Sequence, residues 1–297
     1  MPEKMSDFEI KQPIRTVEIN SLKIGNDKSF RFLSENSNSS KTLYALELDI
    51  FNPELSNPVV KEYFSKANSN PQQIIELAQK TSCDILGLKF NIDEDLGQIN
   101  QAKNLLKSLL PFIKKPLMIR GINKTDIDSV LLPELISVLD RECIIAFASE
   151  KTYKNIVPSV IKGNHVLVLR TPIDINLAKE MNILTTEMGL SPDKILIDPD
   201  MGGLGYGLEY GYSIMERIKL AGFDGDSMLN MPIIAFAGEE TLKTKEAKTE
   251  EISSSWGDLN HRAIMLEITA GSAISAAGAN IVVLNHPKSI ETLKGLD

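Results

Sequence analysis

The residues with the most chemistry in them gather between Asp198 and Gly207. The run reads Asp198-Pro199-Asp200-Met201-Gly202-Gly203-Leu204-Gly205-Tyr206-Gly207. Two carboxylates stand where the apolar run Ile195-Leu196-Ile197 ends. Four glycines then crowd together, and an amphipathic segment follows with Leu208, Tyr212, Met215 and Ile218 at helical spacing. Glycine costs backbone entropy and offers nothing to pack, so such a cluster marks positive-φ positions or a backbone that must approach something closely. A glycine loop between a strand and a helix also aims peptide N–H groups at one spot, where the helix dipole adds to their field. A tight turn that needs glycine and a ligand contact are both open readings.

Other polar residues also sit at the ends of apolar runs. They are Glu47 and Asp49, Lys89 and Asn91, Arg120, Arg170, Glu239 and Glu240, and Asn285 with His286. None of the three histidines, His165, His261 and His286, has a partner at a familiar ligand spacing, so no metal site is expected. There is no Gly-x-Ser-x-Gly and no signature around either cysteine, so no catalytic nucleophile is assigned. Lys89 at a strand end suits a Schiff base, but a structural ion pair is the preferred reading. Phosphate is disfavoured, because phosphate barrels place glycine loops after strands seven and eight. Here the glycines follow the sixth barrel strand, and the seventh leads into Gly238-Glu239-Glu240. What remains is a large, mostly uncharged ligand or a protein face. Tyr206, Tyr210 and Tyr212 suit either, since tyrosine joins apolar area to a polar tip. Asp198 and Asp200 are expected to cap the loop's own N–H groups.

Eight short runs rich in Ile, Leu and Val must hold these residues. They are Leu43 to Ile50, Asp84 to Phe90, Leu117 to Arg120, Cys143 to Ala148, Val166 to Arg170, Lys194 to Ile197, Ile233 to Ala237 and Ile281 to Leu284. They read as strands buried on both faces. Helical segments alternate with them. Asn70-Pro71 opens one, Thr125 with Asp128 opens another in a capping-box pattern, and Thr171-Pro172-Ile173-Asp174 opens one that runs to Gly189. Ala263 to Gly278 fits the last barrel helix. Eight such units in about 250 residues predict a (β/α)8 TIM barrel over residues 41–297, with a doubly wound open sheet as the alternative. Residues 1–40 read as an N-terminal β-hairpin extension. Its arms are Arg15 to Ile19 and Ser29 to Leu33, Gly25-Asn26-Asp27 lies between them, and a polar linker follows from Ser34 to Ser40. Gly238 to Asn260 reads as a charged, mostly solvated excursion.

Composition narrows the partners. The 297-residue chain is 42% hydrophobic and carries a net charge of −8, against a nucleic-acid or anionic-membrane surface. No apolar run approaches the ~20 residues that span a bilayer. Met1 to Asp7 lacks the apolar core of a signal peptide, so the chain reads as cytoplasmic. An iron–sulfur cluster normally takes four thiolates, and Cys83 and Cys143 are only two.

Three blocks carry a resemblance. The first is Asp198-Pro-Asp followed by Gly-Leu-Gly-Tyr-Gly-Leu-Glu-Tyr-Gly-Tyr-Ser-Ile-Met-Glu-Arg-Ile. The second is Pro232-Ile-Ile-Ala-Phe-Ala-Gly-Glu-Glu with Lys245-Glu-Ala-Lys248 and Trp256-Gly-Asp-Leu. The third is Ala277-Gly-Ala-Asn-Ile-Val-Val-Leu-Asn-His-Pro. Together they resemble the small subunit of the corrinoid iron–sulfur protein, a family also called the delta subunit of acetyl-CoA decarbonylase/synthase. The resemblance covers residues 42 to 297. It departs at Leu266-Glu267, where a Trp-Glu pair is expected.

The resemblance implies a non-catalytic barrel paired with a large subunit that carries the [4Fe–4S] cluster. The corrinoid (cobalamin) lies between the barrel top and that subunit. Methyl groups pass from methyltetrahydrofolate or an archaeal pterin, through a methyltransferase, to the acetyl-CoA synthase/CO dehydrogenase system of the reductive acetyl-CoA (Wood–Ljungdahl) pathway of anaerobes. It points to Asp198, Asp200, Gly202, Gly203, Leu204, Gly205, Tyr206 and Gly207 as the cofactor-facing residues. No Asp-x-His-x-x-Gly is present to supply a cobalt ligand. The barrel is also similar to pterin-binding methyltransferase barrels, for which Asp49, Asn91 and Asp198 are the candidate set. Two alternatives therefore stand beside the carrier: a methyltetrahydrofolate-binding corrinoid methyltransferase and a purely structural assembly subunit.

Overall fold

A computed structural model describes residues 10–30 and 40–296. The hairpin comes first, as β1 (Thr16–Ile19) and β2 (Leu22–Gly25). The barrel strands are β3 (Leu43–Asp49), β4 (Ile85–Lys89), β5 (Leu117–Arg120), β6 (Ile144–Ala148), β7 (Val166–Arg170), β8 (Ile195–Asp198), β9 (Ile234–Ala235) and β10 (Ile281–Leu284). The helices are α1 (Pro58–Tyr63), α2 (Pro71–Ala78), α3 (Ile99–Leu109), α4 (Thr125–Ile136), α5 (Tyr153–Lys162), α6 (Ile175–Glu187), α7 (Leu208–Phe223), α8 (Ala237–Leu242), α9 (Leu259–Ala277) and α10 (Pro287–Leu296). Among the described residues the barrel strands are all parallel, in the order β8-β7-β6-β5-β4-β3-β10-β9. The bridge between Ile197 and Ile233 joins the two ends of the sheet. The eight strands expected from the sequence are these eight, and the fold is a (β/α)8 barrel.

Strand periodicity explains the apolar runs. Alternate residues point to opposite faces. In β3, Tyr44, Leu46 and Leu48 pack outward with the helices, while Ala45 joins the barrel interior. The inner set continues around the barrel with Ile85, Met118, Ile144, Val166, Leu196, Ile234 and Ile281. Both faces are buried, so each strand is apolar along most of its length. The same alternation places Glu47, Lys89, Arg120, Arg170 and Asp198 one or two steps further up the inner face. The lower barrel is therefore dry and its mouth is charged.

The hairpin closes the bottom. Val17, Ile19 and Ile24 belong to the same apolar cluster as the barrel interior. Its second arm is Leu22–Gly25, which corrects the reading of Ser29 to Leu33. Ile19 pairs with Leu22, so Asn20 and Ser21 form the turn, with Asn20 at φ +53°. Residues 31–33 of the expected arm and 34–39 of the expected linker lie outside the described residues. Beyond β2 the chain is pinned by Asp27. Its carboxylate meets Lys219 of α7 at 2.7 Å and accepts from Asn280 (2.6 Å) and Ser40 (2.5 Å). Lys219 also donates to the carbonyl of Gly278.

Two helix starts follow the sequence. Asn70 accepts from Gln73 N, and Asp174 accepts from Asn176 N and Leu177 N. The Thr125 capping box does not form. Lys124 occupies the cap position, and the carboxylate of Asp128 accepts instead from Ile122 N and Asn123 N. Those loop amides present two donors together, and the buried carboxylate satisfies both.

Candidate functional site

At the barrel mouth, the positions that the strand period turns inward form two ion networks. In the first, Arg120 donates to Glu47 (2.6 Å) and to Glu239, and Lys89 donates to Glu239 (2.9 Å). Burial raises the cost of the Glu239 charge, yet Arg120 and Lys89 hold its carboxyl well below the usual carboxylate range. In the second, Arg170 Nε donates to Asp198 Oδ2 at 2.6 Å. Its guanidinium lies 3.6 Å from the ring centroid of Phe147. Arg120 faces Phe236 at 4.9 Å. Phe147 and Phe236 meet edge to face at 5.7 Å, so one aromatic pair carries both guanidinium groups. Burial pushes the Asp198 carboxyl up to about 6 despite Arg170.

Lys89 is thus an ion-pair partner, as preferred from sequence. Glu239 belongs to the part of Gly238 to Asn260 that departs from the mostly solvated character expected of that stretch. That stretch begins with α8, where Gly238, Thr241 and Leu242 are buried. Glu240 lies at the surface side and pairs with Lys243 at 2.6 Å. Glu267 is buried on α9 and accepts from Asn285 N (2.5 Å) and His286 N (3.2 Å) just beyond β10. The departure at Leu266 leaves that glutamate in use. Gly238 is needed there, because a Cβ would lie 2.6 Å from Glu267 Oε1.

The Asp198–Gly207 loop forms a rim beside the mouth. Asp198 Oδ1 accepts from Asp200 N (2.9 Å), and Asp200 Oδ1 accepts from Met201 N (3.0 Å). The two aspartates cap their own loop as expected, and Asp198 also holds Arg170. The glycines divide by cause. Gly202 packs against the carbonyl of Tyr206, and Gly203 against Glu240, whose carbonyl oxygen would be 2.9 Å from a Cβ. Gly205 and Gly207 have φ of +79° and +104°, and Gly207 is the cap of α7. Asp200, Gly202, Gly205, Tyr206 and Gly207 line one shallow depression of about 360 Å3 with Ile173, Met201 and Tyr210. Gly203 is turned away toward α8, Leu204 is exposed outside the depression, and Asp198 lies beneath in the ion network.

Tyr206 and Tyr210 stand 60% and 61% exposed, with Ile173 beside them. Tyr212 instead packs on the outer core, so it does not share the rim. Sequence reading missed Ile173, a β-branched residue at φ +50° on the loop after β7. Nothing in its local sequence marks it, because Pro199 O fixes it by accepting from Ile173 N at 2.8 Å across the loop. Of the pterin-type set, burial pushes the Asp49 carboxyl up to about 6 although Asn52, Lys89 and Asn91 favour its charge, whereas Asp198 is committed to Arg170.

The fold places the chain among (β/α)8 barrels of the dihydropteroate synthase shape. The enzyme of Yersinia pestis bound to a sulfonamide drug superimposes with a TM-score of 0.60, over 95% of this chain and 97% of that one, at 10% identity. The Xanthomonas albilineans enzyme with 7,8-dihydropteroate gives 0.57, over 86% and 93%, at 11% identity. The chain itself belongs to the CO dehydrogenase/acetyl-CoA synthase delta subunit family, whose model matches residues 16–280. Among its relatives, the acetyl-CoA decarbonylase/synthase complex subunit delta of Methanocaldococcus jannaschii is 27% identical over 280 residues, 92% of this chain and 68% of the relative. Subunit delta 2 of Methanosarcina acetivorans is 28% identical over 260 residues, 83% of this chain and 59% of the relative. The chain thus spans about 59% to 68% of the length of these two relatives. No helix among the described residues is long and apolar enough to cross a membrane.

Proposed function

We propose that the chain is the small subunit of a heterodimeric corrinoid iron–sulfur methyl carrier, and that its glycine rim covers one side of the corrinoid while a domain of the large subunit covers the other. The observation that carries this reading is the rim itself. It sets exposed Tyr206, Tyr210 and Ile173 around a shallow depression, with exposed Leu204 on the same loop outside it, on the face where barrel sites lie. An opening of about 360 Å3 is too small to enclose a tetrapyrrole-sized ring but offers a broad, low surface against which one can rest. Gly205, with open space around it, keeps that surface low.

The bound corrinoid supplies the cobalt that carries the methyl group between methyltetrahydrofolate, or an archaeal pterin, and acetyl-CoA synthase. This chain contributes contact area and keeps water from the covered face. Its mouth carboxylates are held by Arg120, Lys89 and Arg170, so they stabilise the barrel rather than exchange protons with a substrate. The [4Fe–4S] cluster belongs to the large subunit. A cluster ligand is a thiolate, and burial pushes the Cys143 thiol up to about 12 and raises that of Cys83.

Co-expression with the large subunit tests the reading. The complex is expected to retain corrinoid absorbance through gel filtration, and the large subunit alone to lose most of it. Equal retention without this chain removes the covering role.

A further inference from the structure

Arg262, at the start of α9, is a buried guanidinium, only 5% exposed. Among the described residues no carboxylate pairs with it. It donates instead to three main-chain carbonyls, those of Glu246 (2.6 Å), Thr249 (2.6 Å) and Gly257 (2.8 Å). The positive end of the helix dipole disfavours a cation at this position, so Arg262 does little for α9 itself. What it does is draw together three points of the loop between α8 and α9. The outer part of that loop holds one turn of 3-10 helix, Ser254–Trp256, in which Ser253 accepts from Ser255 N. Residues 253–258 are all exposed. Trp256, the only tryptophan in the chain, stands 54% exposed on this turn. Ordering a backbone costs conformational entropy, and the outer loop buries almost nothing in return. An ordered but uncovered aromatic is the arrangement of a preformed contact surface.

The clamp also joins this loop to the glycine rim. Glu246 gives its carbonyl to Arg262, and its carboxylate accepts from the Tyr206 hydroxyl at 3.3 Å. Exposed Tyr206 and exposed Trp256 are thus tied into one surface through Glu246 and Arg262. Between residues 245 and 258 four carboxylates, Glu246, Glu250, Glu251 and Asp258, stand against Lys245 and Lys248. A tryptophan among acids suits an arginine or lysine, which the ring face attracts and a carboxylate pairs. We infer that Trp256 anchors a basic face of the same partner that covers the rim, the large subunit, and that Arg262 is the positioning residue that holds it ready. This rests on the reading of the chain as one half of a two-subunit carrier.

A single tryptophan makes the test direct. Fluorotryptophan incorporated into this chain labels Trp256 alone, and fluorine NMR then reads that one ring. Addition of the unlabelled large subunit is expected to shift the resonance and to abolish its solvent isotope shift, because the ring leaves water. Trp256→Ala is expected to bind the large subunit at least about 30-fold more weakly in surface plasmon resonance, and Glu250→Lys/Glu251→Lys about tenfold more weakly. All three positions are exposed, and circular dichroism verifies that both variants keep the parent fold. A resonance unmoved in the complex, or Trp256→Ala binding within about twofold of the parent, overturns the anchor and leaves the carrier reading standing. Charge reversal without loss of affinity overturns the basic partner face. A parent chain that forms no complex with the large subunit removes the carrier reading itself, and the shared partner with it.

Discussion

Arg170 and Asp198 form a pair in which a guanidinium donates to a carboxylate at 2.6 Å, with side chains only 5% and 1% exposed. One comes from the end of β7 and the other from the end of β8, so the pair staples neighbouring strands at the mouth. The same aspartate fixes the first amide of the glycine rim. Removing one member of a buried pair leaves the other charge uncompensated, at about 3–5 kcal/mol. Asp198→Asn is therefore expected to lose about that much stability in urea unfolding, and Asp198→Asn with Arg170→Met to lose less than the sum of the two single changes. Additive losses would mean that the two side chains act independently.

Glu267 makes stability depend on pH. Burial raises its carboxyl to about 7, while its hydrogen bonds from Asn285 N and His286 N oppose the rise. The folded value exceeds the ordinary one of 4.5, so the folded chain holds the proton more tightly. Its contribution is fully present below about pH 4.5 and is lost as pH rises through about 7, a change on the order of 3 kcal/mol. Unfolding free energies measured at pH 5, 6, 7 and 8 are expected to fall across this range. In Glu267→Gln this part of the slope should disappear. An unchanged slope would place the titration elsewhere.

Tyr206 and Tyr210 separate stability from assembly. Both rings are exposed, so Tyr206→Ala/Tyr210→Ala should leave thermal unfolding of the isolated chain within about 0.5 kcal/mol of the parent. Exposed aromatics that become the centre of an interface contribute about 2 kcal/mol or more. On the proposed function, the same variant is therefore expected to bind the proposed large subunit at least about 30-fold more weakly in surface plasmon resonance. Parent-like affinity would remove the rim from the interface.

Asp27 ties the segment after the hairpin to α7 and β10. Asp27→Ala removes the carboxylate that meets the buried Lys219 at 2.7 Å beside the Gly278 carbonyl. A loss of about 3–5 kcal/mol is expected, with faster proteolysis near residues 20–30 than elsewhere. Uniform proteolysis would show that the hairpin does not release first.

The barrel was legible in the sequence because its strands are buried on both faces, which leaves little choice of residue. β4 and β6 each start one residue inside the expected runs, although Asp84 N still donates to Tyr44 O and Cys143 O accepts from Val166 N. The hairpin was harder. Gly25-Asn26-Asp27 has turn composition, but the turn is Asn20-Ser21 and Gly25 ends β2, where its φ of +92° brings it close to Arg15 and Pro232. Glu239 was visible as a strand-end carboxylate, but neither its burial nor that of Glu267 shows in the sequence. Their partners lie elsewhere in the chain, Arg120 and Lys89 for one and the amides after β10 for the other, and local sequence cannot register such contacts. Of the rim, the glycines and tyrosines were visible, whereas the division into two packed glycines and two twisted ones depends on contacts such as that of Gly203 with Glu240 from another loop.

The barrel interior is already filled, and Val17, Ile19 and Ile24 seal its lower end. No path runs through the molecule from end to end, so whatever meets the barrel at its mouth arrives and departs on one side.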